Sequence, residues 1–206
     1  MIRVGVVTIS DTRDLDTDTS GQLVVRALRR SRDIDVTGRV VVRDEVQQIK
    51  GAIDTYLQEK ADCIITNGGT GISKRDVTFE SIREKIHQEL PGFGEIFRML
   101  SFETIGSKAI ASRAIAGFTQ SDCLLFALPG STNACDLAME KLILPELEHL
   151  IGEKKKKKPT SKSDPVCSEM IEIQNNTNKK SLENTILRNG FQAIFSFFGF
   201  SAESSF

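Results

Sequence analysis

The feature that most constrains this 206-residue chain is an alternation of short β-branched runs with stretches whose apolar residues recur at helical spacing. RVGVVTIS (3–10) reads as a buried strand, and Ser20 and Gly21 open SGQLVVRALRRSR, in which Leu23, Val24, Ala27 and Leu28 repeat with helical period. DVTGRVVVR is a second strand. DEVQQIKGAIDTYLQEK follows it, with Val46, Ile49, Ile53 and Leu57 on one face and with Asp44 and Gln47 placed as a capping box. CIIT (63–66) is a third strand. Strand, helix, strand, helix, strand builds a sheet covered by helices on both faces, so the expected class is α/β and the architecture a three-layer α/β/α sandwich with a mostly parallel sheet.

Downstream, the pattern predicts a helix from Thr78 to about Glu89, and then a turn and helix over PGFGEIFRMLSFETI. AIASRAIAG and CLLFAL read as two further strands. PGST (129–132) leads into a long helix from Asn133 to Ile151, which Pro145 should kink or restart because it removes one intrahelical bond. In parallel sheets of this kind the site lies beyond the carboxyl ends of the strands, an address shared by SDT, NGGTG and PGST.

Composition narrows the function classes. With 39% hydrophobic and 27% charged residues the chain suits a soluble domain, and no apolar run approaches the ~20 residues of a membrane span. MIRVGVVTIS lacks the long apolar region of a signal peptide and reads as a strand. Residues 153–206 hold nine Lys/Arg against six Asp/Glu, which leaves 18 against 22 in residues 1–152, a formal −4. A mildly acidic body has no basic face for nucleic acid. The four cysteines, Cys63, Cys123, Cys135 and Cys167, show no CxxC spacing; Cys63 and Cys123 begin apolar runs and read as buried thiols in a reducing cytoplasm. His87 and His149 have no metal-spaced partners and read as surface residues on helical segments.

EKKKKKPTSKSD and NNTNKK mark a change of character, so the chain divides into a domain over residues 1–152 and a lysine-rich linker with a flexible, disordered C-terminal tail over 153–206. The aromatic end NGFQAIFSFFGF is either part of that disorder or a segment that docks on a partner or touches a membrane.

Chemistry concentrates in TNGGTGISKRDVT (66–78). Gly68, Gly69 and Gly71 permit positive φ and let backbone N–H groups face an anion, with Lys74 and Arg75 adding positive charge. An ordinary strand-to-helix turn needs fewer glycines. The stretch fits neither GxxxxGK[ST] nor GxGxxG. A carboxylate at Asp76 repels phosphate unless a cation such as Mg²⁺ lies between them, or else it serves the positive end of the following helix for about 0.3–1 kcal/mol. Asp44 stands between the same two readings, as a helix cap or as a second metal-facing carboxylate on the same sheet edge. DTRDLDTDTSG has alternating Asp14, Asp16 and Asp18, but a calcium loop would need glycine at Thr19 and glutamate at Val25. Asp18 and Ser20 fit a polar turn capping the first helix, with Ser10 and Asp11 lining the site. Ser112 and Arg113 offer a hydroxyl and a guanidinium to a second anion, or form a strand-edge pair without a ligand.

In order across residues 3–151, VTISD, DTSG, VRDE, GGTG with KRDVT, PGFGEIFRMLSFETIG, SRAIAG and FALPGS resemble the molybdenum-cofactor biosynthesis proteins of the MoaB/MogA family, related to the gephyrin G domain and the plant molybdopterin adenylyltransferase domain. GGTG alone says little; the ordered set is specific. The resemblance implies the molybdopterin-binding fold of that family and an enzyme that transfers AMP from Mg-ATP to the molybdopterin phosphate, releasing pyrophosphate. It implies Asp44 and Asp76 as catalytic carboxylates holding Mg²⁺. Gly68, Gly69, Thr70, Gly71, Lys74 and Arg75 would then meet the nucleotide phosphates. Ser10, Asp11, Ser20, Gly21, Ser112, Arg113, Pro129, Gly130 and Ser131 would meet molybdopterin. It further implies a homotrimer or homohexamer and contact with other cofactor-biosynthesis enzymes. Asn67 and Lys74 depart from common family versions. Two rival readings remain, a non-catalytic molybdopterin carrier and an oligomeric scaffold.

Overall fold

The computed structural model describes residues 1–73 and 76–156. Lys74, Arg75, Cys167 and the expected linker and tail beyond residue 156 lie outside the described residues. β1 (Ile2–Ile9), β2 (Ile34–Val42), β3 (Cys63–Asn67), β4 (Ile86–Glu89), β5 (Ile115–Thr119) and β6 (Leu124–Leu128) form one sheet in the order β2-β1-β3-β6-β5-β4. β1 pairs in parallel with β2 and β3, and β3 with β6. β5 returns antiparallel to β6, and β4 runs antiparallel to β5 at the edge. The sheet is thus mostly parallel.

The period-2 alternation of the strands sends successive side chains to opposite faces. Val4, Val6, Cys63, Ile65, Leu124 and Phe126 belong to one apolar layer, shared with α1 (Thr19–Leu28), α4 (Pro91–Ile105), α5 (Thr132–Ala138) and α6 (Leu144–Lys155). Val7, Ile9, Ile64 and Leu125 belong to the other, shared with α2 (Val46–Gln58) and α3 (Thr78–Arg83). Three layers result, as the alternation predicts. The consequence for the site is directional: loops entering α2 and α3 stand on one side of the sheet edge, and loops serving α1, α4 and α5 on the other.

Several local expectations change. Asp44 does not cap α2: the N-cap is Glu45, with no side-chain hydrogen bond, because the Asp44 carboxylate reaches elsewhere. Asp76, read as serving the positive end of α3 or as facing a metal, stands just before the N-cap Val77, and its carboxylate accepts the Ser73 N–H. The helix expected to reach Glu89 stops at Arg83, and IHQE becomes the edge strand β4, too short for its period to be read; His87 is exposed there rather than on a helix. AIASRAIAG is not one strand, since Gly106–Ala111 is a 3₁₀ turn and β5 begins at Ile115, where every residue becomes buried. Helix α4 begins at Pro91 itself, whose missing N–H costs nothing in a first turn. Pro145 restarts the last helix as expected, after a π turn over Met139–Ile143 that absorbs the interrupted bonding. Helix α6 continues past Glu153, with Lys154 pairing with Asp122 at 3.2 Å and Lys155 with Asp62 at 2.7 Å. Those lysines also suit the negative end of the helix.

A buried polar seam ties the strand ends together beneath the site. Asp18, fully buried, caps α1 by accepting the Gly21 N–H at 2.8 Å. It also accepts the Thr8 hydroxyl at 2.8 Å and pairs with Arg39 of β2 at 2.6 Å. Asn67, at the end of β3, donates its Nδ2 to Thr8 Oγ1 at 3.0 Å and accepts the Ser20 hydroxyl at 2.9 Å. Each member has its partner, as buried polar networks require. Loss of one member of the Asp18–Arg39 pair would cost about 3–5 kcal/mol, because the other charge would stay behind uncompensated.

Candidate active site

A cleft of about 490 Å³ opens at the carboxyl ends of β1, β3 and β6. Ile9 ends β1 and delivers Ser10 and Asp11; Val42 ends β2 and leads to Asp44; Asn67 ends β3 and leads to the glycines; Leu128 ends β6 and leads to Pro129, Gly130 and Ser131. All three sequence segments assigned to this edge therefore meet in one cavity.

The glycines fit the loop for two separate reasons. Gly68 has φ 104° and Gly69 φ 61°, both in the left-handed region that favours glycine. Space is the second reason. A Cβ on Gly68 would lie 2.1 Å from the Ile9 carbonyl oxygen, and one on Gly69 would lie 2.6 and 2.8 Å from the two Asp44 carboxylate oxygens. A Cβ on Gly71 would lie 2.7 Å from an Asp76 carboxylate oxygen. Both carboxylates thus rest against bare backbone. The Gly68 N–H is taken by the Leu128 carbonyl at 3.0 Å, which extends the β3–β6 ladder and removes that amide from the expected phosphate cradle. Among the described residues no hydrogen bond takes the N–H of Gly69, Thr70 or Gly71.

Asp44 and Asp76 both accept hydrogen bonds from the second half of this loop. Asp44 Oδ1 accepts the Val77 N–H at 3.2 Å, and the Asp44 N–H donates to Asp11 Oδ1 at 3.1 Å. Asp76 Oδ2 accepts the Ser73 N–H at 2.9 Å. Burial pushes the Asp44 carboxyl above its ordinary range; the Val77 N–H pulls it partly back, and the negative charges of Asp76 and Asp11 push it up again. The negative charges of Asp76 and Asp11 thus both act on Asp44. Among the described residues no group of three or more His, Cys, Asp or Glu forms a metal cage. Magnesium does not require one, since it binds through one or two carboxylates together with phosphate oxygens. Two carboxylates that repel one another beside open backbone N–H groups fit that donor set.

The side of the cleft toward α1, α4 and α5 has the opposite character. Its lining includes Arg13, Ser20, Phe97, Ser101, Lys108, Ser112 and Ser131. Ser131 caps α5 by accepting the Ala134 N–H at 3.3 Å. Ser112 Oγ is buried without a hydrogen-bond partner among the described residues, an orphaned polar atom in the cavity wall. Cys135, buried below, donates its thiol to the Pro129 carbonyl at 3.3 Å, and burial pushes its pKa up to about 12, which keeps it a thiol. Cys63 and Cys123 are buried as expected.

Of the residues assigned from sequence, the cleft gathers Ser10, Asp11, Ser20, Asp44, Gly68, Gly69, Thr70, Gly71, Asp76, Ser112, Pro129, Gly130 and Ser131. Gly21 does not line it. A Cβ there would lie 2.1 Å from Asp18 Oδ2 and 2.4 Å from Thr8 Oγ1, so its bareness serves the seam. Arg113 does not line it either. Its guanidinium donates to the Asp76 carbonyl at 2.8 Å and the Thr70 carbonyl at 3.4 Å, pairs with Glu80 and stacks over Phe79. It braces the glycine loop from behind. Lys74 and Arg75 fall outside the described residues. Sequence reading missed Thr8, Arg13, Phe97, Ser101 and Lys108 as lining residues. Arg13 alone carried a signal, two positions beyond Asp11 in the first loop.

Fold and site together define an α/β protein with a polar cleft at the carboxyl edge of its sheet. A family described as "Probable molybdopterin binding domain" matches residues 5–149. Molybdenum cofactor biosynthesis protein B of Staphylococcus aureus (strain COL) is 48% identical over 155 residues, covering 74% of this chain and 91% of that protein. A crystal structure of a molybdenum cofactor biosynthesis protein B shares 46% identity at TM-score 0.71, covering 76% of this chain and 97% of the other. The tungsten cofactor synthesizing protein MoaB from Pyrococcus furiosus shares 32% at TM-score 0.69, with 76% and 98% covered. The chain belongs to the MoaB/MogA family of molybdenum cofactor biosynthesis proteins.

The raised Asp44 pKa fixes a sign for stability. A carboxyl raised above its unfolded value costs nothing while protonated in both states, and destabilises progressively as pH rises from the ordinary carboxylate range through the raised value. Asp44→Asn keeps the acceptor for the Val77 N–H and removes the charge. The variant is expected to melt at the same temperature as the wild type or higher at neutral pH, with any difference vanishing below the ordinary carboxylate range. Calorimetric melting across pH checks this, and a variant clearly less stable at neutral pH would contradict it.

Proposed function

We propose that the chain is a molybdopterin adenylyltransferase acting in molybdenum or tungsten cofactor biosynthesis. The observation that carries this reading is the placement of Asp44 and Asp76, mutually repelling, against the bare backbone of Gly69 and Gly71 in one cleft. Family membership supplies the substrate class. A carrier that only held a pterin would have no use for two carboxylates that destabilise one another.

In the proposed reaction an oxygen of the molybdopterin phosphate attacks the α-phosphorus of ATP; the new P–O bond forms as the α–β bridging P–O bond breaks, and pyrophosphate leaves with the electron pair. Asp44 and Asp76 would hold Mg²⁺, which when bound supplies neutralising charge for the triphosphate. The N–H groups of Gly69, Thr70 and Gly71 face the nucleotide phosphates, and Arg113 keeps that loop in place through the Thr70 and Asp76 carbonyls. Ser10, Ser112 and the Pro129–Ser131 turn orient the acceptor. The Ser112 hydroxyl, without a partner among the described residues, is suited to a ligand oxygen. The residues do little covalent work: the rate comes from alignment of two anionic substrates and from preorganised donors. Buried, unreactive thiols suit a cytoplasmic setting.

Purified chain with molybdopterin, ATP and Mg²⁺ is expected to yield AMP-molybdopterin and pyrophosphate. Asp44→Asn and Asp76→Asn are each expected to lower turnover by ~100-fold or more while molybdopterin binding stays within a few-fold. No adenylylated product from the wild type, or full turnover in both variants, would refute the reading.

Self-association belongs to the same proposal. Along α4, Ile96, Met99, Phe102 and Ile105 are 45%, 58%, 59% and 52% exposed, an apolar strip that a homotrimer or homohexamer would cover. Phe102→Glu is expected to shift the sedimentation coefficient to that of a monomer; an unchanged coefficient would place any interface elsewhere.

A further inference from the structure

The cleft has a cationic residue that the reading above leaves without a task. Among its described lining residues, the positively charged side chains are Arg13 and Lys108, both on the side toward α1, α4 and α5. Asp44 and Asp76 stand on the side toward α2 and α3, with Asp11 bonded to the Asp44 N–H. The first loop crosses between the two within a few residues, because Ser10 Oγ accepts the Thr12 N–H at 3.3 Å and the Arg13 N–H at 3.2 Å. The cavity is therefore polarised across the sheet edge.

Arg13 is held by one corner only. Its Nη1 donates to Ser20 Oγ at 3.0 Å and lies 3.5 Å from the Gly130 carbonyl oxygen. Ser20 in turn donates to Asn67, Asn67 to Thr8, and Thr8 to the buried Asp18. This one-way chain of donors fixes the guanidinium from the buried seam outward. Among the described residues, Nε and Nη2 have no acceptor and Arg13 has no carboxylate partner. A half-buried guanidinium with its orientation set, its charge unpaired and a fork of N–H donors open is the arrangement that binds an oxyanion bidentately. Lys108, exposed on a flexible stem, adds charge without that geometry.

We propose that Arg13 is a specificity-determining residue that receives the phosphate monoester of the acceptor, the identity of that acceptor resting on the adenylyltransferase reading. Both substrates of that reaction are anions. The nucleotide arrives with its own cation at the acidic side, so the acceptor phosphate needs a separate positive site away from Asp44 and Asp76. A phosphate monoester has three terminal oxygens. The Arg13 fork takes two and leaves the third free to attack.

The test compares equilibrium binding of anaerobic molybdopterin, its phosphatase-treated dephospho form and Mg-ATP to the full chain, by pterin fluorescence for the first two and calorimetry for the third. Arg13→Ala is expected to weaken molybdopterin binding by about 10-fold or more, the scale of lost charge-assisted hydrogen bonds. Dephospho-molybdopterin and Mg-ATP should stay within twofold of wild type, and Arg13→Lys should recover part of the loss. An equal loss for both pterins would reduce Arg13 to a brace between Ser20 and Gly130 and overturn the proposal. So would unchanged molybdopterin binding, or a loss confined to Mg-ATP, which would assign the fork to the nucleotide. Because binding is read without turnover, a wild type that binds molybdopterin but forms no AMP product defeats the transfer reading and leaves the Arg13 comparison decisive.

Discussion

Asp44 and Asp76 line one end of the sheet against bare glycine backbone, with Asp11 bonded to the Asp44 N–H, and the rest of the site is arranged around that concentration of negative charge. Asp44 and Asp76 can approach the loop because Gly69 and Gly71 have no side chains to meet them. Asp44 reaches that position only by leaving the N-terminus of α2 without a side-chain cap. A cap would have been worth about 1 kcal/mol. A locally stabilising contact is thus absent where a destabilising one is present, a pattern that marks a site selected for its ligand rather than for the stability of the empty protein.

Opposing this acidic corner is a seam in which every polar group is satisfied. Asp18 gathers Gly21, Thr8 and Arg39, and through Thr8 it fixes Asn67 and Ser20. The seam joins β1, β2, β3 and the start of α1, so the cleft floor is as rigid as the sheet itself. The two-sided packing of the sheet then separates the charges, with carboxylates toward α2 and α3 and Arg13 and Lys108 toward α1 and α4. Topology rather than local sequence creates this separation. The loops after β2 and β3 take their side from the helices they lead into, and the first loop crosses between the two sides.

Much of this was legible in the chain. The β-branched runs are buried on both faces from Val4 to Ile9 and over 63–66, so they read as continuous apolar stretches beside helices of period 3.6. NGGTG marked the site because a loop needing three bare positions is chemically unusual. The misreadings share a cause: they fall where contact with a distant segment outweighs local preference. The DEVQ spacing is that of a capping box, yet the Val77 N–H, far along the chain, claims the Asp44 carboxylate. Arg113 looked like an anion ligand and is instead a brace, since the carbonyls of Thr70 and Asp76 that hold it come from another loop. Short IHQE has too few residues for a period, and its strand character comes from its neighbour β5. Arg13 had only its place two positions beyond Asp11 to mark it, because its setting depends on Ser20 and Gly130, which only the fold brings to it.

The central claim is that Asp44 and Asp76 act together on one divalent cation that arrives with a nucleotide. Electron paramagnetic resonance of Mn²⁺, titrated with ATP into the wild-type chain and into the Asp44→Asn/Asp76→Asn double variant, tests it most directly. The account predicts a protein-bound Mn-ATP signal in the wild type and its loss in the double variant while the fold, read by circular dichroism, is retained. An equally strong bound signal in both proteins would contradict it.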